Sequence, residues 1–518
     1  MLAILVLPVV PGGSEEKDCA ERGRLVYTTG KSPRGLPLMV ALGDSEPIGA
    51  DMLACVQCHG PRGRGGWEAG ADVPDIRWSR LASPHGILDR FGHLRPAYTQ
   101  ELFRRAVTSG SDSSGAPLDI VMPRFHIADE DLADLLAYLQ IIGQEPVPGV
   151  GDSAIRVGVL LPVDGNDGDQ GQAVWRVVAR AMEEVNREGG IHGRVVEPVV
   201  RACGPDASSA LAAARVLVEG RDAVLCFLAC SGPGAGEEVR AYLREREVPQ
   251  VGSITMPMQS PAQDDETFLL LPSLATQAEA AAIHLFKTDP RARVAVVKGE
   301  LAAGSGTVFT AFLEKAQGLG LAVVPRDLQE LGPVGMASLQ KEGIDRVALA
   351  GGPDDLILFL SRARAVGFRS PLLVWGALGG SFDTRGHGTI LVLPPVGPGL
   401  SADGEGRVRT LVESLRREGQ LDSAHVGVQL VAFAAADLLV HVLKRAGRDL
   451  DREGLRRELA DVRDFATGVL PPLTFGRYDR EGVRGAICVT LDPSGDRVGR
   501  TWVPADRDRI PGPARRDS

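Results

Sequence analysis

The chain has 518 residues, more than one hydrophobic core supports, so about two to four domains are expected. Hydrophobic residues make up 44% and charged residues 24%, which supplies proper cores and excludes wholesale disorder. The net charge of −10, 67 acids against 57 bases, excludes a nucleic-acid partner, which needs a basic face to replace phosphate counterions.

Residues 1–14 begin with the apolar run "MLAILVLPVV" followed by the turn-prone "PGGS". They read as an export segment of signal-peptide length, an ordinary buried strand being the alternative. No apolar run reaches the roughly 20 residues that span a bilayer. Residues 15–144 are loop-rich with a few helical stretches. The linker, residues 145–153, carries two prolines and two glycines in "EPVPGVGD" and ends the preceding helix. Residues 154–504 alternate β-branched runs, at 155–161, 195–199, 223–228, 294–297, 346–350 and 371–375, with helical stretches. In "AVWRVVARAMEEVNREGG" the stripe Val174, Trp175, Val178, Ala181, Met182 and Val185 is helical, and Gly189 and Gly190 stop it. Such alternation means βαβ units, hence an α/β fold with two parallel-sheet lobes and a crevice between them. Residues 505–518 read as a tail.

Chemistry concentrates at Cys55, Cys58 and His59, a C-x-x-C-H motif. With 7 Cys and 9 His in the chain, chance produces it roughly 0.002 times. A redox dithiol would follow a strand, which the flanks "GADMLA" and "GPRGRGG" do not supply, and zinc would need a second ligand pair. The motif suits heme c. Two cysteines one helical turn apart reach the two vinyl groups, and the histidine then faces the iron from the same side. Met122, stiffened by Pro123, is the expected sixth ligand, and His126 is the alternative. Met39 and Met52 precede the motif, and His85 and His93 lie in loops. Arg124 and Trp78 are candidates to contact the propionates.

Residues 15–143 resemble a class I c-type cytochrome: a helix around "EKDCAERGRLVY", C-V-Q-C-H-G, the helix "AYTQELFRRAVTSG", the M-P-R strap and the helix "ADEDLADLLAYLQ". The resemblance implies a small all-α domain in which Gly23 and Tyr27 meet Leu135, Tyr138 and Leu139. It also implies one covalent heme on Cys55 and Cys58, with His59 and Met122 as axial ligands.

Residues 155–503 resemble periplasmic solute-binding proteins of the leucine/isoleucine/valine type. The resemblance is carried by "IRVGVLLPVDG", the helix ending E-V-N, "GGIHG", "VPQVGS", "FLLLPSLATQAEAA", "AVGFRSPLLVWG" and "LLVHVLKRAG". It implies a two-lobed type I fold and a disulfide between Cys203 and Cys230, which would stabilise by about 3.5 kcal/mol in the chain-entropy model. It further implies a ligand site using Ser231 with Ser253 or Thr255. The loop Asp164 to Gln172, after the first strand, and the turn 351–354 are further cleft candidates. "GELAAGSG" has alanine where the family often has tyrosine, and "WGALGG" offers no acid for an ammonium, which makes amino-acid binding doubtful. Cys226 and Cys488 read as buried free thiols; Cys19 has no assigned role. "GELAAGSGT" lacks a phosphate-loop lysine and reads as a helix N-terminus.

The expected protein is thus a periplasmic mono-heme cytochrome fused to a small-molecule-binding module. It exchanges electrons with a dehydrogenase or a membrane cytochrome. The alternative is an ABC-type solute-binding or sensor protein that serves a permease and uses the heme as a redox gauge. A methionine-ligated, six-coordinate iron has no open site, so catalysis is not expected.

Overall fold

The computed structural model describes residues 14–43, 45–68, 71–88, 94–144, 146–163, 165–261, 266–300, 304–376, 387–397, 400 and 404–505. Residues 1–13 of the expected export segment and 506–518 of the tail lie outside them. The chain divides into two compact units, Met1–Pro146 and Val147–Ser518.

The first unit has helices Ser14–Thr29, Cys55–His59, Trp78–Leu81, Gln100–Ser109 and Asp129–Ile141. It is not purely α-helical, which corrects the all-α expectation. Met39–Ala41 pairs antiparallel with both Ile48–Gly49 and Arg124–His126, and two short ribbons lie elsewhere. Extended loop segments pair here because their backbone groups must be satisfied, and Phe125, pointing inward at the middle of its strand, anchors the sheet in the core. The first and last long helices cross at Gly23. A Cβ there would lie 1.9 Å from the Asp134 carbonyl oxygen and 2.8 Å from Tyr138 Cβ, so only glycine permits the approach. Next to it Tyr27 and Tyr138 pack at 5.4 Å between ring centroids. Arg22 pairs with Asp134 at 2.8 Å, and Arg34 reaches Asp131 at 2.8 Å and Asp134 at 2.6 Å, so both buried carboxylates are compensated. Asp129, Glu130 and Asp131 occupy the first turn of the last helix, where the macrodipole favours acids.

The second unit has two doubly wound lobes. The first lobe's sheet runs, in spatial order, Thr267–Phe268, Gln250–Val251, Cys226–Leu228, Ala154–Pro162 and Val195–Cys203, all parallel. The second lobe's sheet runs Ala322–Asp327, Arg293–Lys298, Arg346–Ala350, Leu372–Trp375 and Thr389–Leu393 in parallel, extended by antiparallel Gly485–Leu491 and Arg497–Pro504. Cys226–Leu228 and Leu372–Trp375 are buried along their whole length and Arg293–Lys298 everywhere but at its two ends, as parallel sheets covered on both faces require. Taken in chain order, the five parallel strands of each lobe lie 2-1-3-4-5, so winding reverses between the first and third strands. Crevices for ligands form at that switch point, beyond the strands' carboxyl ends.

The chain passes between lobes more than once. Helices Val426–Ala446 and Arg452–Ala460 return from the second lobe to complete the first lobe's core. Contrary to the expectation that no apolar run is long enough to span a bilayer, the 21-residue helix Val426–Ala446 is, and its apolarity is accounted for by burial against helix Gly165–Arg187 and the first sheet. Where two crossings meet, the fully buried Glu481 accepts from the Ser273 amide at 2.9 Å, Thr276 Oγ1 at 2.8 Å and Arg484 Nη1 at 3.0 Å. Residues 147–153 of the expected linker belong to this unit: Val147 and Val150 pack on its core, and Val150 bridges to Ile155.

Candidate functional sites

Cys55, Cys58 and His59 lie on the single helix Cys55–His59, so the i, i+3 spacing puts both sulfurs on one side of a turn. His59 is buried and its Nδ1 lies 3.0 Å from the Pro74 carbonyl oxygen. That contact fixes a tautomer with Nε2 free to ligate. Burial pushes the His59 imidazole down to about 4, against the Pro74 contact and Asp75, so it is held neutral as a ligand must be. Burial likewise pushes the Cys55 thiol up to about 12. Tyr27 donates from its hydroxyl to the Gly60 carbonyl at 2.5 Å and ties this helix to the first one.

Met122 is partly buried against the same core cluster as Cys55, together with Leu53, Val56, Ile76, Trp78, Leu102, Leu118 and Ile127. The donor set on one helical turn, two thiols and a neutral imidazole, has the chemistry that a covalently held porphyrin needs, and Met122 packs on the same core cluster. The other candidates sit elsewhere: His126 is exposed on its strand, Met52 and His85 are exposed, Met39 is in the sheet, and His93 lies outside the described residues. Trp78 packs edge-on against Phe103 at 6.2 Å. Arg124 turns onto main-chain carbonyls of residues 118 and 122. Cys19 lies 3.2 Å from Arg22 Nη2.

In the second unit the expected bridge between Cys203 and Cys230 is corrected: both are free thiols. They are neighbours in one apolar cluster, where burial raises the Cys203 thiol and pushes Cys230 up to about 12. The reactive thiolate is thereby disfavoured. Cys226 and Cys488 are also buried and free, both pushed up to about 12 by burial.

The first lobe's switch point lies between the carboxyl ends of Ala154–Pro162 and Cys226–Leu228. Ser231 is there, fully buried, its amide bonded to the Leu160 carbonyl at 3.1 Å and its hydroxyl accepting from Gln170 Nε2 at 3.0 Å. Ser253 is buried and donates to the Thr255 carbonyl at 2.9 Å, whereas Thr255 is exposed. Asp164 lies outside the described residues. Among the described residues at this edge Gln170 is half-buried and held by Ser231, Thr255 is exposed with its hydroxyl donating to the Gly232 carbonyl at 3.5 Å, and Asp169 and Gln172 are exposed beside them. Gln170 falls within the expected cleft segment Asp164 to Gln172, which is helical from Gly165 rather than a loop.

The second lobe's switch point lies between the ends of Arg293–Lys298 and Arg346–Ala350. Fully buried Asp355 accepts from the amides of Glu300 and Gly352, each at 3.0 Å, and so ties the two loops together. The turn 351–354 is thus a helix start capped by Asp355. Glu300 is exposed beside it, accepting from Gln329 Nε2. An acid does therefore stand at this edge, two residues beyond the strand rather than in "WGALGG". Helix Ser305–Gly318 starts as expected within "GELAAGSGT".

The sequence profile of the family described as "Periplasmic binding protein" matches residues 154–496. No curated protein matches the chain. Among solved structures, a fatty acid ABC transporter substrate-binding protein from Thermomonospora curvata is similar at 20% identity and TM-score 0.51, over 70% of this chain and 94% of that one. A branched chain amino acid ABC transporter from Thermus thermophilus with bound valine is similar at 17% identity and TM-score 0.51, over 69% and 96%. At such identities the likeness is one of fold.

Proposed function

The chain belongs to the periplasmic binding protein family, a family of binders and not of catalysts, and on that premise we propose that residues 154–504 capture a small carboxylate-bearing solute outside the cytoplasm for an ABC-type permease. The observation that carries this reading is the pair of switch points. The first places the Gln170 amide, one of whose donor hydrogens goes to Ser231, and the exposed Thr255 hydroxyl where they can serve a carboxylate, with exposed Asp169 next to them; the second presents Glu300, suited to an ammonium. The ligands named for similar structures, a fatty acid and valine, both carry a carboxylate. The test is a thermal-shift panel of amino acids and aliphatic acids on the full chain. A stabilising solute whose effect Gln170→Ala abolishes supports the reading, and a panel without any stabilising member refutes it.

A second reading is favoured by the C-x-x-C-H helix and the His59–Pro74 contact: residues 15–144 hold one heme c. Cys55 and Cys58 would hold the group through thioethers, His59 and Met122 would ligate its iron, and the group would supply one-electron chemistry. The heme is a redox gauge on the binding protein, or an electron carrier for a dehydrogenase or a membrane cytochrome. Expression with heme-attachment machinery, followed by a denaturing pyridine spectrum, checks it. A chain free of covalent heme overturns it.

A further inference from the structure

We infer that Arg124 is a positioning residue that clamps the strap carrying Met122 and leaves an unneutralised positive charge beside it. The inference rests on the heme reading for its redox consequence, while the clamp stands on geometry alone. Arg124 begins the strand paired to Met39–Ala41, so its backbone is fixed by the sheet. Its guanidinium turns back along the strap: Nη1 donates to the Met122 carbonyl and Nη2 to the Leu118 carbonyl at 3.2 Å. The slot it occupies exists because residue 110 is glycine. A Cβ there would stand 1.8 Å from Arg124 Nε and 1.9 Å from Cζ, and Gly110 also takes a left-handed φ of +68° to close its helix. The Leu118 amide donates back to the Gly110 carbonyl at 2.8 Å, and the Met122 amide to that of Asp119 at 3.1 Å. Residues 110, 118, 119, 122 and 124 are thus linked by one connected set of hydrogen bonds.

Two consequences follow. A thioether is a weak iron ligand, so a strap held in place before ligation loses less order when the bond forms. Among the described residues no carboxylate pairs with Arg124, whose hydrogen bonds go to neutral carbonyls. Its charge therefore favours the reduced iron, which carries one positive charge fewer. Lysine keeps the charge and loses the planar fork; glutamine loses both.

The experiment compares wild type, Arg124→Lys and Arg124→Gln in the full chain by three readouts: amide exchange at Leu118 and Met122, the methionine-to-ferric-iron charge-transfer absorption, and the midpoint potential. Both variants are expected to exchange roughly tenfold faster at those amides and to weaken the absorption band, consistent with losing about one charged hydrogen bond. The potential is expected to fall further in Arg124→Gln than in Arg124→Lys. Unchanged exchange in both variants overturns the clamp, and equal potentials in the two overturn the charge effect. Absence of covalent heme in wild type sinks the heme reading and the redox part with it, while amide exchange alone still decides the clamp. Arg124→Lys is the mild variant that carries the test if Arg124→Gln fails to fold.

Discussion

Replacing Gly23 with alanine isolates the helix crossing of the first unit. The new Cβ would start 1.9 Å from the Asp134 carbonyl oxygen and 2.5 Å from its carbon. Carbon and oxygen need about 3.3 Å, so the helices must part by about 1.4 Å. Main chain cannot rotate aside as a side-chain end can. Overpacking costs about 1–3 kcal/mol and the collision is with backbone, so the upper end applies, offset by about 1 kcal/mol from alanine's better helix propensity. A net loss of about 2 kcal/mol lowers the first unit's melting temperature by roughly 4–8 °C. The control is Gly306→Ala, also inside a helix, where an added Cβ meets nothing within 4 Å. It should stabilise the second unit by up to about 1 kcal/mol. Calorimetry of the full chain reads both. A neutral or stabilising Gly23→Ala would refute the crossing.

Further outcomes follow from buried charges. Glu481→Gln leaves Arg484 without its carboxylate between two chain crossings, and the second unit should lose about 3 kcal/mol by urea denaturation; a loss under about 1 kcal/mol would show that the crossing does not depend on that pair. Burial acts to raise the Asp134 carboxyl, but hydrogen bonds from Arg22 and Arg34 outweigh it and hold it below its ordinary value of 3.8. Its stabilisation is therefore present above that value and lost as pH falls through the depressed folded one. The first unit's melting temperature should drop below about pH 4, and Asp134→Asn should flatten that slope; an unaltered slope would place the acid sensitivity elsewhere.

Much of the architecture was legible because it rests on periodicity. The run 346–350 forms a strand with those same bounds, and the stripe from Val174 to Val185 is one face of a 23-residue helix. Such signals are local and repeat along the chain. The groups at the candidate sites were less legible, because they act through contacts distant in sequence. Gln170 matters by reaching Ser231, Asp355 by receiving an amide from residue 300, and Glu481 by meeting Ser273 across 208 positions. The small sheet of the first unit was missed for a like reason: three-residue strands 85 positions apart leave no periodic trace. Resemblance misled at Cys203 and Cys230, since matching positions reveal proximity and not oxidation state.

The paired switch-point site is tested most directly by calorimetric titration of the full chain with L-valine and with its deaminated analogue 3-methylbutanoate, repeated on Glu300→Gln. With the paired switch-point site in place, a carboxylate ligand binds, valine binds more tightly than its analogue, and Glu300→Gln removes this difference, roughly tenfold to a hundredfold, with little effect on the analogue. Absence of binding by both ligands, or a preference for valine that survives Glu300→Gln, would contradict the paired switch-point site.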